Sequence, residues 1–437
     1  MGDDASGALA HGVRTEPRKQ WAWVGLLCAT ATAGYLCRVN VSVAGALLMP
    51  ELGLSQPQMG LLASAFLLGY MLFMVPGGLL ADRWSTRRVL EAASLWWAAA
   101  TGLQLLVGRG PLASSASATL AALLVLRFLL GVGEAPLFPA AARGVARWVD
   151  PGSRGRANGF VVAAIALGSA LAPPLLTALM VRWGWRVALA VSALPALATA
   201  IAWRIAGEPA ALPAAGLETR EEGRLSALRS PRFVLLTLSY TLQGYVGYIF
   251  VFWFYLYLVQ ERHFDLLKGA FLSTVPWLLS LASIPLGGWL SDRLVARYGR
   301  VAGRRAVPLV GLSLAGVFLS LGARAANAWL AAGALALSTA LVLCVEGPFW
   351  ATMTEIAGGR SGAGGGIMNF GCNVGGFVSP TLTPVLAAVI GWEEALDVAA
   401  VLALVAALLW LGIDPRPPGD ADRPLPDRGQ AGAGADA

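Results

Sequence analysis

The sequence predicts an all-α polytopic membrane protein, with twelve transmembrane helices in two six-helix pseudo-repeat halves. Three observations predict it. The first is composition: 57% of the 437 residues are hydrophobic and 13% are charged, against about 25% charged in a soluble domain. The mean hydropathy is +0.65. Apolar stretches of about 20 residues, enough to cross a bilayer as a helix, recur along the chain, and none shows the alternating pattern of about ten residues that marks a transmembrane β-strand. The second is the placement of the basic residues, which concentrate in alternate loops as the positive-inside rule requires. The third is an internal repeat at an offset of about 210 residues.

In chain order, residues 1–20 form a polar tail of mixed charge. The first span lacks a small-residue cleavage site, so no signal peptide is expected. The N-terminal half, 21–206, holds spans at about 21–49, 58–80, 89–107, 118–148, 157–181 and 187–205. Residues 207–231 lose the apolar periodicity, carry interleaved Glu and Arg, and form a cytoplasmic linker with room for a short surface helix. The C-terminal half, 232–413, holds spans at about 232–259, 268–290, 306–323, 328–357, 362–390 and 395–413. Residues 414–437 are rich in Pro, Gly and Asp, the composition of a disordered tail. Of the 32 Lys and Arg residues, 23 fall on the side that holds both termini, six fall on the other side, and Arg38, Arg127 and Arg143 lie within spans. The termini are therefore expected in the cytoplasm.

Composition also excludes function classes. The net charge of +7 is spread over membrane loops rather than over one face of a soluble module, so no nucleic-acid partner is expected. Cys28, Cys37, Cys344 and Cys372 all lie within spans, without metal-ligand spacing, and read as small buried residues. No metal and no cofactor is expected. An intramembrane enzyme would need a nucleophile or metal motif, and the chain has no HExxH, GxSxG or Cys/His cluster. A sensor would need a signalling domain, for which the linker and tail are too short.

The repeat is legible in three motifs. Gly77-Gly78-Leu79-Leu80-Ala81-Asp82-Arg83 recurs as Gly287-Gly288-Trp289-Leu290-Ser291-Asp292-Arg293. Glu134-Ala135-Pro136 recurs as Glu346-Gly347-Pro348. Gly184-Trp185 recurs as Gly391-Trp392. Two like halves meeting at a site near the bilayer midplane is a layout of secondary transporters.

Three ionisable residues, Arg38, Glu134 and Glu346, fall near mid-membrane. A guanidinium at that depth costs several kcal/mol unless something solvates it, so Arg38 is a site candidate by default. Its planar fork suits an anionic solute such as a carboxylate. Arg127 and Glu134 share one helix face but stand about 10 Å apart, too far for a direct ion pair. No histidine lies in a span, so a coupled proton has to ride on a carboxylate. In low dielectric Glu134 can be reversibly protonated. The repeat sets Glu346 opposite it, as a second coupling site or as a carboxyl hydrogen-bonded within its own helix.

These motifs resemble a known family. Gly78-x-x-x-Asp82-Arg83 with Arg87 and Arg88 is similar to the cytoplasmic signature of the major facilitator superfamily, with Ser85 where glycine is usual. Arg38-Val39-Asn40-Val41-Ser42-Val43-Ala44, residues 127–139 (RFLLGVGEAPLFP), Tyr248-Ile249-Phe250-Val251-Phe252-Trp253-Phe254 and residues 369–376 (NFGCNVGG) resemble its anion:cation symporter family, which includes sugar-acid and sialin-like transporters. The resemblance covers residues 21–413. It implies Arg38 as substrate anchor, Glu134 as proton carrier, and Tyr70, Tyr248, Trp253, Trp350 and Asn369 as substrate-facing. Asp82, Arg83, Asp292, Arg293 and Arg127 are expected to serve gating, with arginines pairing across the halves. Sugar-acid members carry an acid before the arginine, where this chain has Cys37, a departure that speaks against a mechanism with two coupled carboxylates at this place. They carry a glutamine in span five, where this chain has Ile165, which with its aromatic neighbours favours a less hydroxylated anion. The implied function is proton-coupled symport of a small organic anion by a monomer in the inner membrane, with a drug or metabolite exporter as the alternative.

Overall fold

The computed structural model describes residues 17–109, 115–150, 153–207 and 225–416, apart from the side chains of residues 17, 18, 82, 225, 226 and 359. The first span is α1 (Pro17–Leu52), the second α2 (Gln56–Arg83) and the third α3 (Thr86–Leu103). The fourth is broken into α4 (Ala116–Glu134) and α5 (Leu137–Trp148), where Pro136 removes a backbone donor. The fifth and sixth share α6 (Arg154–Ser192), which turns at Gly184, and the sixth continues as α7 (Leu194–Ala206). In the second half the seventh span is α8 (Pro231–Phe252) with α9 (Phe254–Gln260). Then come α10 (Leu266–Tyr298), α11 (Arg300–Arg324), the broken pair α12 (Ala328–Cys344) and α13 (Glu346–Ala357), α14 (Ser361–Ile390) and α15 (Trp392–Leu409). Among the described residues, ten helical stretches are long and apolar enough to cross a membrane. One of them, Arg154–Ala206, holds two crossings, and α3 supplies the twelfth.

A backbone in lipid has no water to satisfy its polar groups, so the helices must cap and pair internally. Ser55 caps α2 in a reciprocal capping box with Gln58, and Asp265 caps α10 at the equivalent place in the second half. The repeated Gly-Trp pairs have one geometric role. Gly184 (φ 80°) and Gly391 (φ 95°) take up the left-handed backbone that a helix-to-helix reversal needs. Each turn then aims its tryptophan at the first helix of its own half. Trp185 donates to Glu51 at the end of α1 (2.6 Å), and Trp392 packs on Trp253 and Tyr257 at 5.6 and 5.7 Å.

The expected boundaries move in three places. The first helix begins at Pro17, ahead of the expected residue 21, and Gln20 is buried with its side chain accepting from the Asp150 amide (3.3 Å). Asp414 and Arg416 pair at 2.7 Å and the Arg416 carbonyl accepts from Arg232, so the tail is held to α8 for its first residues. The remainder, 417–437, lies outside the described residues. Within the linker the described part is a short 3-10 turn, Leu225–Arg229, and 208–224 lies outside.

Among the described residues, the hydrogen bonds between the two halves gather toward one side. Ser64 of α2 donates to the Phe377 carbonyl of α14 (2.6 Å) and meets Thr381 at 2.8 Å. Gln56 reaches Gln260 and Glu261 at 3.3 Å, and Thr177 donates to Tyr255 at 3.2 Å. All these contacts lie toward the loops poor in basic residues. Toward the basic loops the helices diverge past Met74 and Asn373, leaving Val75, Leu79, Ile367 and Phe370 exposed. The cavity between the halves therefore opens on the basic-loop side.

Closure on the other side depends on Gly60, where an added Cβ would stand 2.0 Å from the Pro380 carbonyl oxygen. Gly60→Leu is expected to hold the halves apart there at a cost of roughly 1–3 kcal/mol, shifting the population about tenfold or more toward the opposite opening. A cysteine placed at Thr381 should then react with an impermeant maleimide from the now-closed side. Unchanged labelling would show that this contact does not seal the cavity.

Candidate functional site

Arg38 sits midway along α1 and is 2% exposed. Its charge is solvated by the protein in three ways. Nε donates to Glu134 Oε1 at 2.9 Å, and Nη2 comes within 2.6 Å of the same oxygen. Nη1 donates to the Tyr35 hydroxyl at 3.0 Å. The guanidinium carbon stands 4.3, 5.0 and 4.9 Å from the ring centroids of Tyr35, Phe66 and Tyr70. Such cation–π contacts reach about 2 kcal/mol when desolvated. Tyr35 lies one turn before Arg38, and Phe66 and Tyr70 lie one turn apart on α2. An aromatic cage thus forms wherever α1 meets α2. Gly131 seats α4 against it, since a Cβ there would strike the Phe66 carbonyl oxygen at 2.0 Å, and this approach carries Glu134 to Arg38.

Hydrogen-bonding capacity is left over. Arg38 Nη2 is not aligned to donate to Glu134, and Glu134 Oε2 has no donor, although both atoms are buried.

Arg127 is 1% exposed and binds neither carboxylate. Its Nη2 donates to the Arg38 carbonyl (2.7 Å), and Nη1 to the Cys37 carbonyl (3.2 Å) and Asn40 Oδ1 (3.4 Å). The gating role expected of it is corrected: it is buried inside one half, clamping α4 to the backbone of α1 that presents Arg38. Across the cavity, Tyr248 of α8 donates to Asn373 Oδ1 at 3.1 Å and lies within electrostatic range of Arg38. Asn373 Nδ2 in turn reaches the Asn369 carbonyl (2.8 Å) and Met74 Sδ (3.9 Å).

The structure gathers Arg38, Glu134, Tyr70 and Tyr248 around one space. It enters Asn369 through its backbone, while the side chain that meets Tyr248 is Asn373. Trp253 is corrected to a packing residue. It is 1% exposed at the break between α8 and α9, donates to the Pro380 carbonyl (2.9 Å) and lies on Trp392. Trp350, 40% exposed, stands edge-on to Tyr240 at 6.5 Å, in a second cluster around Glu346. There Tyr240 donates to Glu346 Oε2 (2.8 Å) and Gln243 Nε2 to Oε1 (3.0 Å). Glu346 is thus bonded to α8, with Trp350 of its own helix also in hydrogen-bonding reach.

At the basic-loop end, Asp292 pairs with Arg304 (2.6 Å), which also binds Glu355 (2.8 Å), and Arg293 lies over Trp289 at 5.2 Å. The pairing expected across the halves is made inside the second half, because the halves stand apart on this side. Arg83 is exposed, and the Asp82 side chain lies outside the described residues. Sequence reasoning missed Tyr35, Phe66, Asn373, Tyr240 and Gln243. Their signal was spacing: each is one helical turn from a singled-out residue or from another member of the site.

Arg127→Lys keeps the charge and loses the planar fork. With hydrogen bonds to charged groups worth roughly 1.5–3 kcal/mol, the variant is expected to unfold several degrees below wild type in detergent. An unchanged midpoint would mean that the clamp contributes no stability.

The comparisons with known proteins agree with this geometry. The family model described as Major Facilitator Superfamily matches residues 24–380. The chain is 31% identical to a probable sulfoacetate transporter of Cupriavidus necator, over 82% of this chain and 85% of that protein. It is 30% identical to a probable galactarate/D-glucarate transporter of Escherichia coli, over 91% and 93%, and 28% identical to a hexuronate transporter of Bacillus subtilis, over 80% and 83%. The fold matches that of a bacterial homologue of the human lysosomal transporter Spinster, in an inward-facing and unoccupied conformation, with a TM-score of 0.79 at 16% identity, covering 94% of this chain and 100% of that one. A D-xylose–proton symporter matches with a TM-score of 0.72 at 15% identity, covering 89% and 97%. A two-half bundle of twelve spans, an arginine and a carboxylate at its midplane, and a family match over most of its length lead to one statement: the chain belongs to the major facilitator superfamily.

Proposed function

We propose that this protein is a proton-coupled symporter of a small organic anion, working by alternating access between its two halves. One observation carries the reading: Arg38 stands in an aromatic cage between the halves, and its counter-ion, Glu134, is itself protonatable. While Glu134 is ionised it occupies Arg38, as expected of an empty site. A proton on Glu134 cancels that pairing and turns the guanidinium over to the solute, whose carboxylate can take the fork bidentately. Anion and proton then enter together, because neither alone leaves the buried charges balanced. Ile165 stands where a sugar-acid carrier would have glutamine, and the rings of Tyr35, Phe66 and Tyr70 surround Arg38. These features favour a short or aromatic carboxylate or sulfonate over a polyhydroxylated one, and the probable sulfoacetate transporter among its relatives fits that choice. The cavity lies within one chain, which suits a monomer. The distribution of basic loops suits an inner-membrane protein with both termini in the cytoplasm. Export of a metabolite through the same cavity is the alternative, and it predicts accumulation in the opposite direction.

The test is uptake of labelled sulfoacetate, glucarate and benzoate into proteoliposomes with an inward proton gradient. Arg38→Ala is expected to lose uptake of the accepted anion by at least about a hundredfold, since breaking a buried charge pair costs roughly 3–5 kcal/mol. Glu134→Gln is expected to keep anion exchange but lose accumulation driven by the gradient. A flat response across the panel, or an Arg38→Ala variant that transports like wild type, would count decisively against this function.

A further inference from the structure

Glu346 has the position of Glu134 without its partner. Both stand at a break in the equivalent helix of their halves, before Pro136 and Pro348. Glu134 is neutralised by Arg38, whereas Glu346 is held by the neutral donors Tyr240 and Gln243 and has no ion pair among the described residues. It is half-buried, beside the open face of Trp350. Titratable and polar groups face it from several elements. On α8 these are Tyr240 and Gln243; on α14, Cys372; on α12, Cys344. The ion-paired Asp292, Arg304 and Glu355 of α10, α11 and α13 lie about 14 Å further along α13. None of these supplies a nearby positive charge. Cys372 is within electrostatic range of Tyr35 and Tyr70 as well as Glu346, so the two clusters share a wall.

The environment accepts either form of the carboxyl. Ionised, Glu346 takes two hydrogen bonds. Protonated, it needs an acceptor, and Gln243 Oε1 is buried without a donor, one amide turn away. Charge counting gives this meaning. At mid-depth Arg38 and Arg127 are balanced by Glu134 and Glu346, so the cavity wall is neutral with both carboxylates ionised. One added proton leaves the wall with a charge of +1, and two leave it with +2. A dianion in low dielectric therefore requires both carboxyls to be neutral, since a remaining carboxylate would leave the wall with one net positive charge against the two negative charges of the solute.

We propose that Glu346 is a second proton-binding site of this cavity, protonated together with Glu134 when a dianion is carried, so that the number of protons equals the charge of the solute. This rests on the transport function proposed above. In each cycle two protons pass from the aqueous vestibule to the two carboxylates and return to water on the far side, with no bond in the solute made or broken.

The experiment has two parts, each on full-length protein in liposomes. In the first, proton and sulfoacetate fluxes are measured together, sulfoacetate being a dianion near neutral pH. A ratio of about two is expected for wild type and about one for Glu346→Gln, with uptake retained because the amide copies the neutral carboxyl. Equal ratios in the two proteins would overturn the proposal. The second part needs no solute. A pH titration followed by infrared difference spectroscopy should show a protonated-carboxyl stretch in wild type that is missing in Glu346→Gln. In Tyr240→Phe, which lacks one donor to the ionised form, that stretch should persist to higher pH. A titration of Glu346→Gln indistinguishable from that of wild type also overturns the proposal. If no anion is carried by wild type, it is the transport function that fails, and the infrared titration still decides whether Glu346 takes a proton.

Discussion

The pairing of Arg38 with Glu134 at mid-membrane is the constraint on which the rest of this structure depends. An unpaired guanidinium at that depth is costly by any scale, and an unpaired carboxylate is no cheaper. Each group makes the other tolerable, and three aromatic rings complete the solvation. Holding the pair in place requires α1, α2 and α4 to converge, which explains the close approach at Gly131 and the buried clamp of Arg127 on the α1 backbone.

The halves share an architecture but not an electrostatic plan. Helix breaks at Pro136 and near Pro348, reversals at Gly184 and Gly391, and tryptophans aimed at α1 and α9 all recur. The arginine does not. Where the first half sets a guanidinium against its carboxylate, the second sets a phenol and an amide. Duplicate halves can rock about a shared axis while differing in what they bind. Their asymmetry sets a guanidinium beside one carboxylate and only neutral donors beside the other.

Much of this was legible in the chain. Span number and the repeat follow from composition and spacing, because the bilayer allows few solutions for a backbone that must satisfy itself. Arg38, Glu134 and Glu346 stand out because charge in an apolar run is rare. Roles that turn on partners were less legible. Trp253 has the motif of a substrate contact and spends its indole on Pro380, and Arg127, expected at a gate, is a clamp. Asn373 hides behind Asn369 because two polar residues one turn apart look alike until the neighbouring helix is placed.

The sequence by itself determined that twelve helices cross a membrane in two related halves, and that a few charges lie where lipid would not tolerate them, since hydropathy and charge act residue by residue. Only the tertiary structure decided which charge meets which, that Glu346 meets none among the described residues, and on which side the halves part. Those facts depend on distances between residues as far apart in the chain as Ser64 and Thr381 or Arg38 and Glu134. Such distances are set by how backbones pack at glycines, which local patterns do not encode.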